Sequence, residues 1–457
     1  MHIRFYDGDM FPTEAEKARS RETENNYSLY RGRFGDVLRY FRTPEEKKNQ
    51  LEVIQNVAGK LSRSFAFLMF TEEVKINVLD ENVQARINDF KFRNEFDNRM
   101  DESALTQSYG GRAYFEMYLK DGLAYFSELN PACVFPQYST MNANGEPTKI
   151  IISWEVKIDE KSYRFIKTHT MGFITYELRK LSTENGEDEG AASLSILDPL
   201  LPDVTLGQYE ATELDYIPVY WVDNIKTGRN IFGMSDYDDL RSLFEELTRN
   251  QSQIATQLKK HASAKMAVPV GVLDEFGKVR TENTEMFEVP SEKEDGMVIP
   301  QYIVNANPLI DSAFKEQEKI LEAIARVADI STLLMDWNVT GGAEKVGALK
   351  LRILPTLAKV KRKLRPYRRV ITDMMVDAME WEGVATLQPS DVTLEFNDGL
   401  PSDPLEDTQV ETLRMNAGIQ TVEDAVRNLD KLEGEQLATK VQMITDAKAA
   451  APPAFAF

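Results

Sequence analysis

Ser331-Thr-Leu-Leu-Met-Asp-Trp-Asn-Val-Thr-Gly-Gly-Ala-Glu-Lys-Val-Gly347 breaks every hydrophobic period, and the segment it leads into decides how the chain is read. From about 345 to 382, Leu349, Ile353, Leu357, Val360, Leu364 and Ile371 recur at helical spacing. Between Lys345 and Arg369 this helix carries ten Lys and Arg and no acid. Lys359, Lys361, Arg362, Lys363 and Arg365 are almost consecutive, so the bases fall on all sides rather than in one stripe facing a duplex. Pro355 is expected to kink the helix and Pro366 to interrupt it again.

Upstream lies a second helical block. Ser235 is read as its cap, and Leu240, Leu243, Phe244, Leu247, Ile254 and Leu258 keep the period to about His261. Strand-like segments Ala267–Leu273, Thr284–Val289 and Met297–Ile303 follow. Asn307-Pro308 then opens a helix carrying Leu309, Ile310, Phe314, Ile320, Leu321 and Ile324. A compact β insert is therefore held between two helices. Downstream the charge reverses: Asp373 to Asp430 holds fourteen acids against Arg414 and Arg427. This stretch includes the strand-like Val392–Phe396 and the helical patterns Thr408–Leu413 and Thr421–Leu429. Glu433–Lys448 is a third helical pattern, and Ala449–Phe457 reads as a loose end.

In the first half, Thr43 can cap a helix opened by Pro44. Leu51, Val53, Ile54, Val57, Ala58, Leu61, Phe65 and Leu68 then form one buried face. A strand at Val74–Leu79 and a helix at Asn94–Ser108 lead to Gly110-Gly111. Past these glycines the pattern becomes β: Arg112–Leu119, Leu123–Leu129, Ile150–Val156, Tyr163–Thr168 and Phe173–Leu178, with Glu184–Gly190 as an exposed hairpin tip. The fold class is α+β.

The 457 residues carry a formal net charge of −20, which excludes an ordinary cationic nucleic-acid binder. A single cysteine, Cys133, excludes intrachain disulfides and a cysteine zinc site, and His2, His169 and His261 are too scattered for a helical metal pair. The start Met1–Met10 has no signal-peptide pattern, and apolar runs such as Phe65–Phe70 are far short of a membrane span of about twenty residues. Gly342–Gly347 has the spacing of a phosphate loop, but Ala348-Leu349 stand where Lys and Ser/Thr would be needed. Acid pairs such as Asp238/Asp239 and Glu245/Glu246 follow from 74 acids, and they keep a carboxylate-based hydrolase as the alternative from another class. No catalytic residue, metal or cofactor is assigned.

The order of features resembles the portal proteins of tailed bacteriophages. The likeness is carried by Asn25-Asn26-Tyr27, by Val53-Ile54-Gln55-Asn56-Val57-Ala58-Gly59-Lys60, and by Asn94-Glu-Phe-Asp97 before Gly110-Gly111-Arg-Ala-Tyr-Phe115. It continues through Leu129-Asn-Pro131, Val134-Phe135-Pro136, Ile217-Pro218-Val219-Tyr220-Trp221 and Gly233-Met-Ser235-Asp236. The first 25 residues match nothing in that pattern. The resemblance implies an α/β wing (1–233), a first stem helix (234–263), a clip (264–307), a second stem helix (308–330), a tunnel loop (331–347), a long wing helix with a following strand (348–403), and a helical crown and tail (404–457).

By the same resemblance the chain forms a ring of twelve at one capsid vertex of the virion, assembled in the host cytoplasm. Double-stranded DNA passes through it without sequence specificity during packaging and ejection. The implied partners are the terminase large subunit, capsid or scaffold proteins, and neck or tail adaptor proteins, with no membrane. Trp337, Asn338, Val339, Thr340, Gly341 and Gly342 are expected to line the narrowest part of the channel. Glu292, Lys293, Glu294 and Asp295 are expected in the partner-binding clip, and Lys361, Arg362, Lys363 and Arg365 are expected to meet acids of a neighbouring subunit. Another phage head–tail adaptor is the nearer alternative.

Overall fold

The computed structural model describes residues 11–34, 53–139, 146–182, 188–200, 209–212, 214–227, 231–262, 265–269, 285–289, 301–303, 308–335, 346–396, 404–430 and 434–450. Helix α1 (Glu14–Tyr30) opens on a capping box, the Glu16 amide donating to the Thr13 hydroxyl at 3.2 Å and the Thr13 amide to the Glu16 carboxylate at 2.7 Å. Lacking a strong apolar stripe, it docks through hydrogen bonds: Arg19 donates to the carbonyls of Pro131 and Val134, and Ser20 to that of Ala132. Helix α2 (Val57–Phe70) begins later than the pattern from Leu51 suggests, because the Asn56 side chain caps it by accepting from the Gly59 amide at 2.8 Å. Thr43 and Pro44 lie outside the described residues.

Strand β1 (Lys75–Asn77) and helices α3 (Glu81–Arg93) and α4 (Phe96–Gly110) follow. The period does not announce α3, which buries Val83, Ile87 and Phe90 and is capped by Asp80 through the amides of Asn82 and Val83. The β region holds β2 (Arg112–Lys120), β3 (Leu123–Leu129), β4 (Val134–Gln137), β5 (Lys149–Ile158), β6 (Lys161–Thr170), β7 (Phe173–Leu181), β8 (Asp188–Ala192), β9 (Tyr209–Ala211) and β10 (Val219–Asp223). One antiparallel sheet has the order β10-β2-β3; the other has β4-β5-β6-β7-β8, with β9 also on β7.

The β5–β6 ladder, from Lys149↔Thr170 to Ile158↔Lys161, extends both strands beyond their apolar runs. Tyr114, Val134, Ile150, Ile152 and Val219 form a cluster shared by the two sheets. Glu116 on β2 accepts from Lys167 and lies 3.0 Å from His169 Nε2, both on β6. Burial alone would raise the Glu116 carboxyl, but these two neighbours hold it below its usual range.

Helix α5 (Arg241–Ala262) is followed by β11 (Lys265–Pro269), β12 (Glu285–Val289) and β13 (Gln301–Ile303), and then by α6 (Pro308–Val327). The three strands form a sheet in the order β12-β11-β13, with β11 parallel to β12 and antiparallel to β13, while α5 packs on α6. Helix α7 (Val346–Trp381) runs unbroken through both prolines. The expected interruption at Pro366 does not occur. Its ring releases the carbonyl of Arg362, an exposed position where water can satisfy that group. Strand β14 (Thr393–Glu395) pairs antiparallel with β1.

Chain contacts define two compact units, Met1–Gly341 with Arg352–Asp398, and Gly342–Leu351 with Gly399–Phe457. In the second, α8 (Pro404–Asn416) packs on α9 (Val422–Asp430), and α9 on α10 (Gly434–Ala450). Among the described residues no helix is long and apolar enough to cross a membrane.

Two glycines set the path into α5. Gly111 ends α4 at φ 77°, where a side chain is strained, and its carbonyl accepts from the Asn224 amide at 2.9 Å. A Cβ on Gly233 would stand 2.1 Å from the Gly111 carbonyl oxygen, and one on Gly111 would stand 2.3 Å from that of Gly233. Either Gly→Ala change must force two backbone segments apart. Each is expected to destabilise the chain by about 1–3 kcal/mol or more, seen as a lower Tm by calorimetry. An unchanged Tm for Gly233→Ala would contradict this close approach.

Candidate functional site

The bases of α7 do not fall evenly around it. Thr356, Val360, Lys363, Tyr367 and Ile371 form the buried stripe, whereas Lys361, Arg362, Arg365 and Arg369 are exposed. Lys359 and Lys363, one turn apart, turn inward to a single carboxylate, that of Asp236 in the turn before α5. Lys363 Nζ donates to Asp236 Oδ2 at 2.5 Å, and the Ser108 hydroxyl donates to the same oxygen at 2.7 Å. Lys359 Nζ lies 3.1 Å from Oδ1, close enough to ion-pair but not aligned to donate. Both ammonium groups sit 4.8 Å from the centre of the Phe65 ring.

Burial alone would raise the Asp236 carboxyl, yet the two lysines and the Ser108 donor hold it down to about 2. Lys363 is pushed down to about 8 by burial, with the like charge of Lys359 adding to the effect and Asp236 opposing it. The two cations thus hold the shared anion down, whereas burial, helped by its like-charged neighbour, is what lowers Lys363.

A hydrogen-bond web extends from this cluster. Ser62 Oγ lies 2.9 Å from Ser108 Oγ and 2.6 Å from the Tyr237 hydroxyl, and Tyr237 also donates to the Ala58 carbonyl at 2.9 Å. Lys359 donates to the Ala328 carbonyl beyond α6 at 2.8 Å, and the Ser331 amide donates to Thr356 Oγ1 at 2.9 Å. On α4, Gln107 donates to the Lys363 carbonyl at 3.4 Å, and Ser103 Oγ lies 2.9 Å from the Tyr367 hydroxyl. Helix α7 thus holds α2, α4, the approach to α5 and the end of α6 in one arrangement. The web also explains why α5 starts at Arg241 rather than at Ser235. The Ser235 hydroxyl donates to the Ser108 carbonyl and accepts from the Tyr237 amide, so residues 236–240 form a turn that places Asp236 in the core.

Of the four bases expected between subunits, Lys363 is corrected: it is 1% exposed and its charge is met within the chain. Lys361, Arg362 and Arg365 remain on the surface with no ion-pair partner among the described residues. Lys361, Arg365 and Arg368 border a groove of about 280 Å³ whose apolar wall includes Leu357, Leu364 and Phe396. Trp337, Asn338, Val339, Thr340, Gly341 and Gly342 lie outside the described residues, as do Glu292, Lys293, Glu294 and Asp295. Before the first of these segments, the residues Thr332–Met335 form a short helical turn, in which Met335 is buried.

Glu245 and Glu246 both pair with Arg249, at 3.0 and 2.8 Å, while Asp238 accepts from the Ser235 amide at 3.0 Å. Burial and the charge of Glu22 push the Asp238 carboxyl up to about 6. No group of three or more His, Cys, Asp or Glu able to hold a metal occurs among the described residues.

A family model described as "Phage portal protein, SPP1 Gp6-like" matches residues 12–451. Among solved structures, a chain from "Neck of empty GTA particle computed with C6 symmetry" is similar, with 11% identity, a TM-score of 0.46, and coverage of 82% of this chain and 90% of that one. No curated protein matches the sequence.

Removing Asp236 would leave two buried ammonium groups without their anion. Asp236→Asn is expected to cost about 3–5 kcal/mol near neutral pH. The deficit should shrink as pH rises toward about 8. Without the carboxylate, Lys363 loses its proton in the folded chain below that pH while the unfolded chain keeps it, so stability then rises with pH in the variant more than in the parent. Denaturant unfolding at pH 6 and pH 8.5 measures this, and equal deficits at the two values would contradict it.

Proposed function

Because the chain belongs to the SPP1 Gp6-like phage portal protein family, we propose that it forms the ring at one capsid vertex through which double-stranded DNA is packaged and ejected. The observation that carries this is the family match, which runs over residues 12–451 and so takes in both compact units. In this reading α5 and α6 are the stem helices, and the β11–β13 sheet between them belongs to the clip. Helix α7 is the long wing helix, and α8–α10 are the crown. The clip, with Glu292, Lys293, Glu294 and Asp295, is the docking surface for the terminase motor and later for neck and tail proteins. A net charge of −20 suits a channel that must let phosphates slide without gripping them. The role is structural rather than enzymatic.

Lys361, Arg362 and Arg365 are assigned to the contact between neighbouring subunits, without Lys363. A ring built by repeating one heterologous contact leaves no unpaired end, so a chain with separate cationic and acidic surfaces can satisfy both at once. Native mass spectrometry tests the reading directly. The expected species is a closed ring, twelve subunits in the virion, assembled from 52.1 kDa chains. A chain that remains monomeric or dimeric at every concentration tried would overturn it.

The segment 337–342 is assigned to the channel constriction. Trp337, Asn338, Val339 and Thr340 are bulky or uncharged, so they would contact DNA sterically rather than clamp its phosphates, and Gly341-Gly342 add backbone freedom. Shortening 337–342 should change DNA retention in filled heads while ring mass stays the same. Parental retention, or steeply salt-dependent DNA binding that maps to this segment, would contradict the assignment.

A further inference from the structure

Lys361 and Arg365 stand one turn apart on the exposed face of α7, at the edge of the groove walled by Leu357, Leu364 and Phe396. Neighbouring Arg368 is already engaged, donating to the Leu394 carbonyl at 2.6 Å with its guanidinium 5.2 Å from the Phe396 ring centre. The groove therefore combines an apolar wall with two cations that have no carboxylate partner among the described residues.

The same compact unit carries the complementary surface. Tyr27 and Tyr30 of α1 and Tyr109 of α4 form a ring cluster with centroids 5.4–6.2 Å apart, and Tyr27 is 38% exposed. Beside them lie Glu102 of α4, which is exposed, and Glu128 of β3, which is half-buried. The groups facing Glu128 are the Thr106 hydroxyl, Glu102, Arg99, Tyr109 and Tyr367. Arg99 is the one cation among them, and it donates to the Phe126 carbonyl at 2.7 Å. Burial, with the like charge of Glu102, pushes the Glu128 carboxyl up to about 7. This surface therefore offers two carboxylates beside the rings, with Arg31 already lying over Tyr27 and donating to its hydroxyl at 3.2 Å, and the groove offers two exposed cations.

The two surfaces lie on different sides of their helices. Ser103 and Gln107 are the α4 residues bonded to α7, whereas Glu102, Thr106 and Tyr109 point about a third of a turn away. No ion pair or hydrogen bond joins Lys361 or Arg365 to that face among the described residues.

We propose that the α7 groove receives the Tyr27–Tyr30–Tyr109 face of a second copy of this chain, with Lys361 and Arg365 set against that copy's Glu102 and Glu128. The inference rests on the ring reading and gives it two named, unlike surfaces, as a heterologous contact requires. The tyrosine rings lie against the leucine wall, and the two cations can stack on ring faces while they pair with the carboxylates. Docking a cation beside Glu128 favours its ionised form, so assembly releases a proton and weakens as pH falls below about 7.

The test uses full-length chains at one concentration, read by native mass spectrometry with circular dichroism as the folding control. Reversing the groove (Lys361→Glu with Arg365→Glu) or the face (Glu102→Arg) should each lower the ring fraction at least tenfold. Mixing the two variant chains should restore rings, because each groove then finds a face of opposite sign. Glu128→Gln, the milder change, should flatten the difference in ring fraction between pH 6 and pH 8. A wild-type chain that forms no ring would overturn the ring reading and this contact with it. Wild-type rings that neither reversal weakens, or weakened rings that mixing does not restore, would overturn this contact alone.

Discussion

One buried carboxylate, Asp236, organises the first compact unit. It meets two lysines of α7 and a serine of α4 in a largely buried region, where Asp236 and Lys363 are shielded from water. A buried cluster of this kind adds little net stability over apolar packing, since desolvating the charges offsets most of their attraction. It does limit the alternatives. A helix shifted by one residue would swing Lys359 and Lys363 away from Asp236 and leave three charges unmatched. The register of α7 is therefore set against the turn before α5 and the end of α6 together, and those are the places where the sheet-bearing region joins the paired helices.

Much of the architecture is visible in residue order because its elements bury one face each. The run Leu123–Leu129 coincides with β3, and Asn307-Pro308 marks the start of α6 because proline suits a first helical turn. Helix α3 escapes notice because Val83, Ile87 and Phe90 are spread among charged and amide side chains, too sparsely for the period to stand out. The central ion cluster escapes for a different reason. A lysine at the stripe position between Val360 and Tyr367 looks like one more base in a basic helix, and its partner lies more than a hundred residues away. The available clue was its register: Lys363 stands three residues after Val360 and four before Tyr367, a place where the period calls for an apolar side chain.

That sorting changes the meaning of the basic helix. Ten bases and no acid suggest a strong local field, but two of the most central are already neutralised inside the fold, and Arg368 is held by a carbonyl and a ring. What remains outward is a short cationic edge beside an apolar wall. Such an edge favours an amphipathic protein surface over a nucleic-acid backbone, because much of what it offers is contact area and not charge. The acidic surplus of the rest of the chain then works in the same direction, since its net field repels polyanions while leaving a few places for opposite charges to meet.

The pairing of β1 with β14 has a consequence in time. Lys75 is matched to Glu395, so residues separated by most of the chain must meet to complete one small ladder, to which Arg368 of α7 is also tied through the Leu394 carbonyl. During synthesis the first unit cannot close until the ribosome has moved well beyond residue 395, and until then the apolar faces of α2 and α4 lack the helix that covers them. Such long-range closure makes folding slow and leaves the growing chain dependent on protection from aggregation. It also ties the finished subunit surface to a nearly complete polypeptide, so a truncated chain lacks that surface and has little means of competing for a place in an assembly.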